Sequence, residues 1–271
     1  MSDVSILLVG DLGRSEFQDA RTVLERWGRV VDAPDADAAA DVVRDGKIVP
    51  DVIAIAQSHP AQFSHQSVDR LRRLAPLARV VGLLGSWCEG EMRTGKPWPG
   101  AVRLYWHQWS PHCDRQLRRM SEDRCSTWGL PITATDEERL LLASDEPPSH
   151  RQGLIAIHTN SYVMEDWLSA ALRSRGCSTV WLRPPRPAQV EGAVAAIFDG
   201  SDCRREQLDE LKHLAETLAP APIVALLDFP RIEDRQRALA AGAQAVLSKP
   251  LQVDDLFWEL DRVLEESGEN Q

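Results

Sequence analysis

The chain has 271 residues, 43% hydrophobic and 27% charged, with a formal net charge of −10. That is apolar material for about two ordinary domains and too much for a disordered chain. The negative balance argues against non-specific binding to DNA or anionic membranes through long-range attraction.

The arginines grouped at Arg70, Arg72 and Arg73, and at Arg115, Arg118 and Arg119, read as solvated helix faces. No apolar stretch reaches the length of about 18 residues that a spanning helix needs, so no membrane segment is expected. The N-terminus lacks the basic region of a signal peptide. Cys88, Cys113, Cys125, Cys177 and Cys203 contain no closely spaced pair. Together these features predict free thiols in a reducing cytoplasm.

Short apolar runs alternate with amphipathic stretches, the pattern of a parallel sheet covered on both faces. In the first half, Ser5–Val9 is a predicted strand, followed by a helix through Phe17, Ala20, Leu24 and Trp27. Val30–Val31 is a short strand, Asp35–Arg44 a helix, Asp51–Ala56 a strand and His65–Ala75 a helix. Arg79–Leu84 and Ala101–Trp106 are the fourth and fifth strands, and Pro111–Met120 a closing helix. The glycines and prolines of Gly85–Gly100 predict a loop or short helix where a full one is due.

Residues 121–152 read as a linker with a short helical stretch at Asp136–Ala143, so the expected domains are 1–120 and 153–271. The second half predicts strands at Leu154–Ile157, Thr179–Leu182, Val194–Phe198, Ile223–Leu227 and Ala245–Leu247. Helices are expected at Met164–Ser174 with Trp167, Ala171 and Leu172 inward, through Leu208, Leu211, Ala215 and Leu218, at Arg231–Ala241 and at Val253–Glu266. Five strands and five helices predict a flavodoxin-like doubly wound sheet, so the whole chain is expected to be α/β with two such sheets in tandem.

The run Pro222–Leu251, PIVALLDFPRIEDRQRALAAGAQAVLSKPL, carries an apolar strand, a helix ending in Ala-Ala-Gly-Ala, a short strand and Lys249–Pro250. In this it resembles the response-regulator receiver (CheY-like) family over residues 153–266. The first half resembles the same family more weakly, through ILLVGD, PDVIAIA and ARVVGLL.

The resemblance implies a set of positions. Asp199 falls on the phospho-acceptor position, Lys249 on that of the family's lysine, and Pro250 on the candidate cis-proline. The acidic pair that would hold Mg²⁺, a hard cation seeking oxygen, is replaced by His158 and Thr159, and the hydroxyl position by Leu227, followed by Asp228. Asp202 or Asp228 is a candidate substitute oxygen donor. In the first half Asp11 survives, but the acceptor position holds Ala56 or Gln57, and His107–Gln108 stand in place of Lys-Pro.

The expectation is therefore a pseudo-receiver protein, not an enzyme and without a cofactor. It would act in phosphorelay-type signalling by binding protein partners, a histidine kinase or another signalling protein among them, and a homodimer is plausible. An alternative is a phospho-accepting regulator modified on Asp199, with Mg²⁺.

Nine tryptophans are many for this length. Trp87, Trp98, Trp106 and Trp109 crowd one stretch with Tyr105, which reads either as packing over the sheet or as an interaction surface. His107, His112, Cys88, Cys113 and Cys125 lie in the same region at spacings too irregular for a zinc motif. A small-ligand or metal sensor there is a further alternative. GSWCEGEMRTGK lacks the residue order of a phosphate-binding loop, and no GxSxG elbow is present.

Overall fold

Apolar runs form central strands only where both faces are covered, and this selects the order of each sheet. The computed structural model describes residues 3–89, 91, 95–131, 133–135, 138, 152–184 and 190–269. The chain divides into two units, Met1–Glu146 and Pro147–Gln271. The helical stretch expected at Asp136–Ala143 lies outside the described residues, apart from Glu138.

In the N-terminal unit, β1 (Val4–Val9), β3 (Val52–Gln57) and β4 (Arg79–Leu84) occupy the middle of a parallel sheet of order β2-β1-β3-β4-β5. Their residues are almost all buried. The edges are β2 (Gly28–Ala33) and β5 (Val102–Tyr105), both half-buried and more polar. The helices are α1 (Ala20–Trp27), α2 (Ala36–Arg44), α3 (His65–Leu74) and α4 (Trp109–Ser121). Asp35 caps α2 by accepting from the amides of Asp37 and Ala38, and Ser64 caps α3 by accepting from Ser67. One core layer gathers Leu7, Val9, Ile53, Ile55, Val68 and Leu71.

The C-terminal unit repeats the plan with β6 (Leu154–His158), β7 (Ser178–Leu182), β8 (Ala193–Asp199), β9 (Ile223–Asp228) and β10 (Ala245–Lys249) in the order β10-β9-β8-β6-β7. Read from the other edge, this is the N-terminal order. Its helices are α5 (Tyr162–Ser174), α6 (Arg205–Leu218), α7 (Ile232–Ala240) and α8 (Val253–Glu269). Ile155, Ile157, Leu168, Leu172, Leu256 and Leu260 share one core layer, while Phe198, Leu211, Leu214 and Ala238 share the other.

Several expectations change. Five helices were expected in the second half, and four are found among the described residues. The strands β7 and β8 are separated by only a short connection, whose described residues include a turn. Trp167 is exposed and Leu168 buried, because Leu168 and Leu172, four residues apart, form the inward stripe of α5. Arg119 is buried, not on a solvated face.

The tryptophan-rich stretch is mostly core. Trp98, Trp106 and Trp109 are buried, and only Trp87, 73% exposed, remains at the surface. The interaction-surface expectation fails for those three because their side chains are packed into the unit: Trp106 follows β5, Trp109 opens α4, and Trp98 lies in the β4–β5 connection. Trp98 covers β4 there: its ring lies 3.2 Å from where a side chain on Gly82 would begin, and its indole N–H donates to Phe63 O at 3.2 Å. No helix among the described residues is long and apolar enough to cross a membrane.

Candidate functional site

The C-terminal ends of parallel strands are where such sheets build their sites. In the second unit they bring together four of the singled-out residues. Asp199 ends β8, Asp228 ends β9 and Lys249 ends β10. Thr159 follows β6 directly.

Lys249 Nζ donates to Asp199 Oδ1 at 2.6 Å and lies 3.0 Å from Asp228 Oδ1. Thr159 Oγ1 donates to Asp199 Oδ2 at 2.6 Å while accepting from the Ser161 amide at 3.0 Å. Both oxygens of Asp199 are thus engaged, and its side chain is mostly buried along with that of Lys249. Desolvation pulls the ammonium of Lys249 down, but the hydrogen bonds and charges of Asp199 and Asp228 outweigh it and hold its pKa above the usual lysine value.

The remaining positions depart from an ion-binding site. The ring of His158 is buried and stacks on Phe198, with centroids 5.2 Å apart and planes 12° from parallel. Among the described residues, His158 Nδ1 has no hydrogen-bond partner. Burial pushes this imidazole below its ordinary pKa, against weaker upward pulls from its own backbone and from Asp199. Leu227 is buried and brings no hydroxyl. Asp202 pairs with Arg204 at 2.9 Å and accepts from the Arg204 amide, so its carboxylate is spent on the local turn. The Lys249–Pro250 peptide bond is cis.

A donor set for Mg²⁺ would need several free oxygens. Here the carboxylates of Asp199 and Asp228 already face an ammonium, and the pair of positions after β6 holds an imidazole and a hydroxyl. The residues do not fit the ion.

Two consequences are measurable. A neutral buried imidazole must take a proton as the protein unfolds in acid, so the folded state loses stability as pH falls below about 6.5. His158→Leu is expected to flatten that part of the curve of thermal midpoint against pH. Lys249→Met leaves Asp199 and Asp228 facing each other without a cation. It is expected to cost about 2 kcal/mol in urea unfolding, less than a fully buried pair because the Asp228 side chain is 49% exposed.

The N-terminal unit has the equivalent positions with different chemistry. Ala56 and Gln57, the two candidates for the position of Asp199, end β3, and neither carries a carboxylate. Gln57 is buried, and its Nε2 lies 3.4 Å from each carboxylate oxygen of Glu91. Glu91 in turn pairs with Arg103 at 2.6 Å. Cys88 lies against Gln57, and burial pushes its thiol up to about 11.

Asp11 is exposed and accepts from the Gly13 amide, closing a local turn. His107 stacks on Tyr105 with ring centroids 6.0 Å apart, and Gln108 Oε1 accepts from the Tyr105 amide. Sequence reasoning missed Glu91 and Arg103. They lie apart in sequence with no motif linking them, and only the fold brings them to Gln57.

Among the described residues, no group of three or more His, Cys, Asp or Glu is placed to hold a metal ion. Of the residues considered for zinc, Cys88 and Cys113 are buried thiols whose pKa burial raises.

No family model matches the chain, and no curated protein matches it. Among solved structures, a response regulator receiver domain protein (CheY-like) from Methanospirillum hungatei is similar at 18% identity, covering 45% of this chain and all of that one, with a TM-score of 0.39. A response regulator from Burkholderia pseudomallei, with a phosphorylated aspartic acid, is similar at 18% identity over 44% of this chain and 72% of that one, with a TM-score of 0.36. NtrX from Brucella abortus is similar at 18% identity and a TM-score of 0.37; the match spans 44% of this chain but only 28% of NtrX. On strand order, the chain is two flavodoxin-like, doubly wound α/β units in tandem.

Proposed function

We propose that this protein is a pseudo-receiver of two-component or phosphorelay signalling in the cytoplasm, acting by binding protein partners and not by carrying a phosphoryl group. The observation that supports the reading most is the closed state of Asp199: Lys249 and Thr159 take both its oxygens. In the N-terminal unit that position holds Ala56 or Gln57, neither of which can form an acyl phosphate. Partners of this reading are a histidine kinase, another signalling protein or a second copy of the chain, and its chemistry is recognition alone.

Incubation with acetyl phosphate and Mg²⁺, followed by intact mass, tests it. No phosphoryl adduct is expected on the native chain. The double variant His158→Asp, Thr159→Asp restores two carboxylates beside Asp199 and is expected to gain one. An adduct on the native protein that disappears in Asp199→Asn would reject the reading. It would establish the second one, a phospho-accepting regulator served by a histidine kinase.

A further inference from the structure

At the foot of the N-terminal sheet, away from the strand tips, lies a cavity of about 580 Å³. Its walls come from the end of α3, the first residues of β4 and β5, and the turn at Thr127–Gly129. A volume in this range suits a small organic ligand.

The charge on its wall is one-sided. Among the described residues, Arg72, Arg79 and Arg103 line it and no Asp or Glu does. Arg103 is committed to Glu91 at 2.6 Å. The other two are not neutralised in this way. Arg79 spends one N–H on the carbonyl of Gly129 at 2.6 Å. Arg72 approaches Asp69 only at 3.6 Å, beyond a good hydrogen bond, and its Nη2 is buried without a partner. A guanidinium carries five N–H donors in a fork that matches carboxylate and phosphate oxygens. The lining also has partly exposed apolar residues, Ala101 and Val102, beside the buried Val80 and Trp128.

We propose that this cavity binds a small organic anion, with a phosphate or carboxylate head held by Arg72 and Arg79 and an apolar body against Ala101 and Val102. The proposal is independent of the state of Asp199. It gives the N-terminal unit a ligand site at the opposite end of its sheet from the degenerate one.

Titration of the ¹⁵N-labelled full chain with phenyl phosphate, followed by amide shifts, tests it. Saturable shifts are expected at Ala101, Val102, Thr127 and Trp128. Inorganic phosphate should bind more weakly, because it leaves the apolar wall unused, and uncharged benzyl alcohol should produce no saturable shifts there. Benzoate compared with phenyl phosphate tells a carboxylate ligand from a phosphorylated one.

Arg72→Gln and Arg79→Gln are each expected to weaken binding about tenfold, the worth of one hydrogen bond to a charged group. Arg72 makes no hydrogen bond within the described residues, so its variant reads the site without disturbing the turn that Arg79 anchors. Three results would overturn the proposal: absence of shifts at these amides, equal response to benzyl alcohol, or unchanged affinity in a folded Arg72→Gln chain.

Discussion

Trp109→Ala is expected to destabilise the N-terminal unit by about 4 kcal/mol. Trp109 opens α4, is only 1% exposed and heads the fully buried side chains in size. Its indole N–H donates to the carbonyl of Ala20, the first residue of α1, at 3.2 Å. Truncation therefore leaves a cavity and removes the indole's hydrogen bond to that carbonyl at one contact between α1 and α4. The contact is reinforced further along, where Asp114 of α4 accepts from the Trp27 indole at 2.8 Å and from Arg26 at 3.0 Å. That clamp keeps the helices in register and limits collapse into the space, which places the cost toward the upper end for aromatic truncations. Trp109→Phe keeps most of the volume and should lose about half as much. Urea unfolding followed by circular dichroism measures both; a cost under about 1 kcal/mol for the alanine variant would show that the packing around Trp109 is loose.

Gly28→Ala should be nearly as damaging, about 3 kcal/mol, for a reason of space alone. Gly28 follows α1 and begins β2, with φ −174° and ψ −178°, an extended geometry open to any residue. A Cβ there would stand 1.9 Å from the carbonyl oxygen of Val4 and 2.7 Å from its carbonyl carbon. Val4 is the strand partner of Gly28, so the obstacle is main chain that cannot rotate away, and β1 and β2 must separate at their first rung. Gly46 makes the control. It has φ +66° and nothing within 4 Å of its would-be Cβ, so Gly46→Ala tests conformation without collision and should cost about 1 kcal/mol. Equal thermal midpoints for the two variants would contradict the steric account.

The central strands were legible because burial on both faces demands unbroken apolar runs: ILLV, VIAIA and IVALL sit in β1, β3 and β9. The edge strand β2 was read as only Val30–Val31. Arg29 and Asp32 stand on it among exposed positions, and a half-solvated strand leaves no apolar run to find. Periodicity misplaced Trp167 because a large apolar residue was assumed to point inward, whereas Leu168 and Leu172 fill that face of α5. At the C-terminal strand tips, Asp199, Lys249 and the substitutions at His158 and Thr159 were assigned by resemblance alone. That Thr159 would hydrogen-bond Asp199, and that His158 would lie flat on Phe198, depends on strand register and ring orientation, which no linear pattern encodes.

Lys249 reaches across neighbouring strands: Asp228 ends the adjacent β9, and Asp199 ends β8 one strand beyond. The lysine is therefore a mechanical tie as well as a neutralising charge. It fastens the border strand β10, which has a partner on one side only, at the end where α8 would pull on it. Tension arriving through α8 is shared by three strands in shear instead of peeling one away. Amide exchange in β10 should accordingly slow toward Lys249, and should quicken there first when the tie is cut.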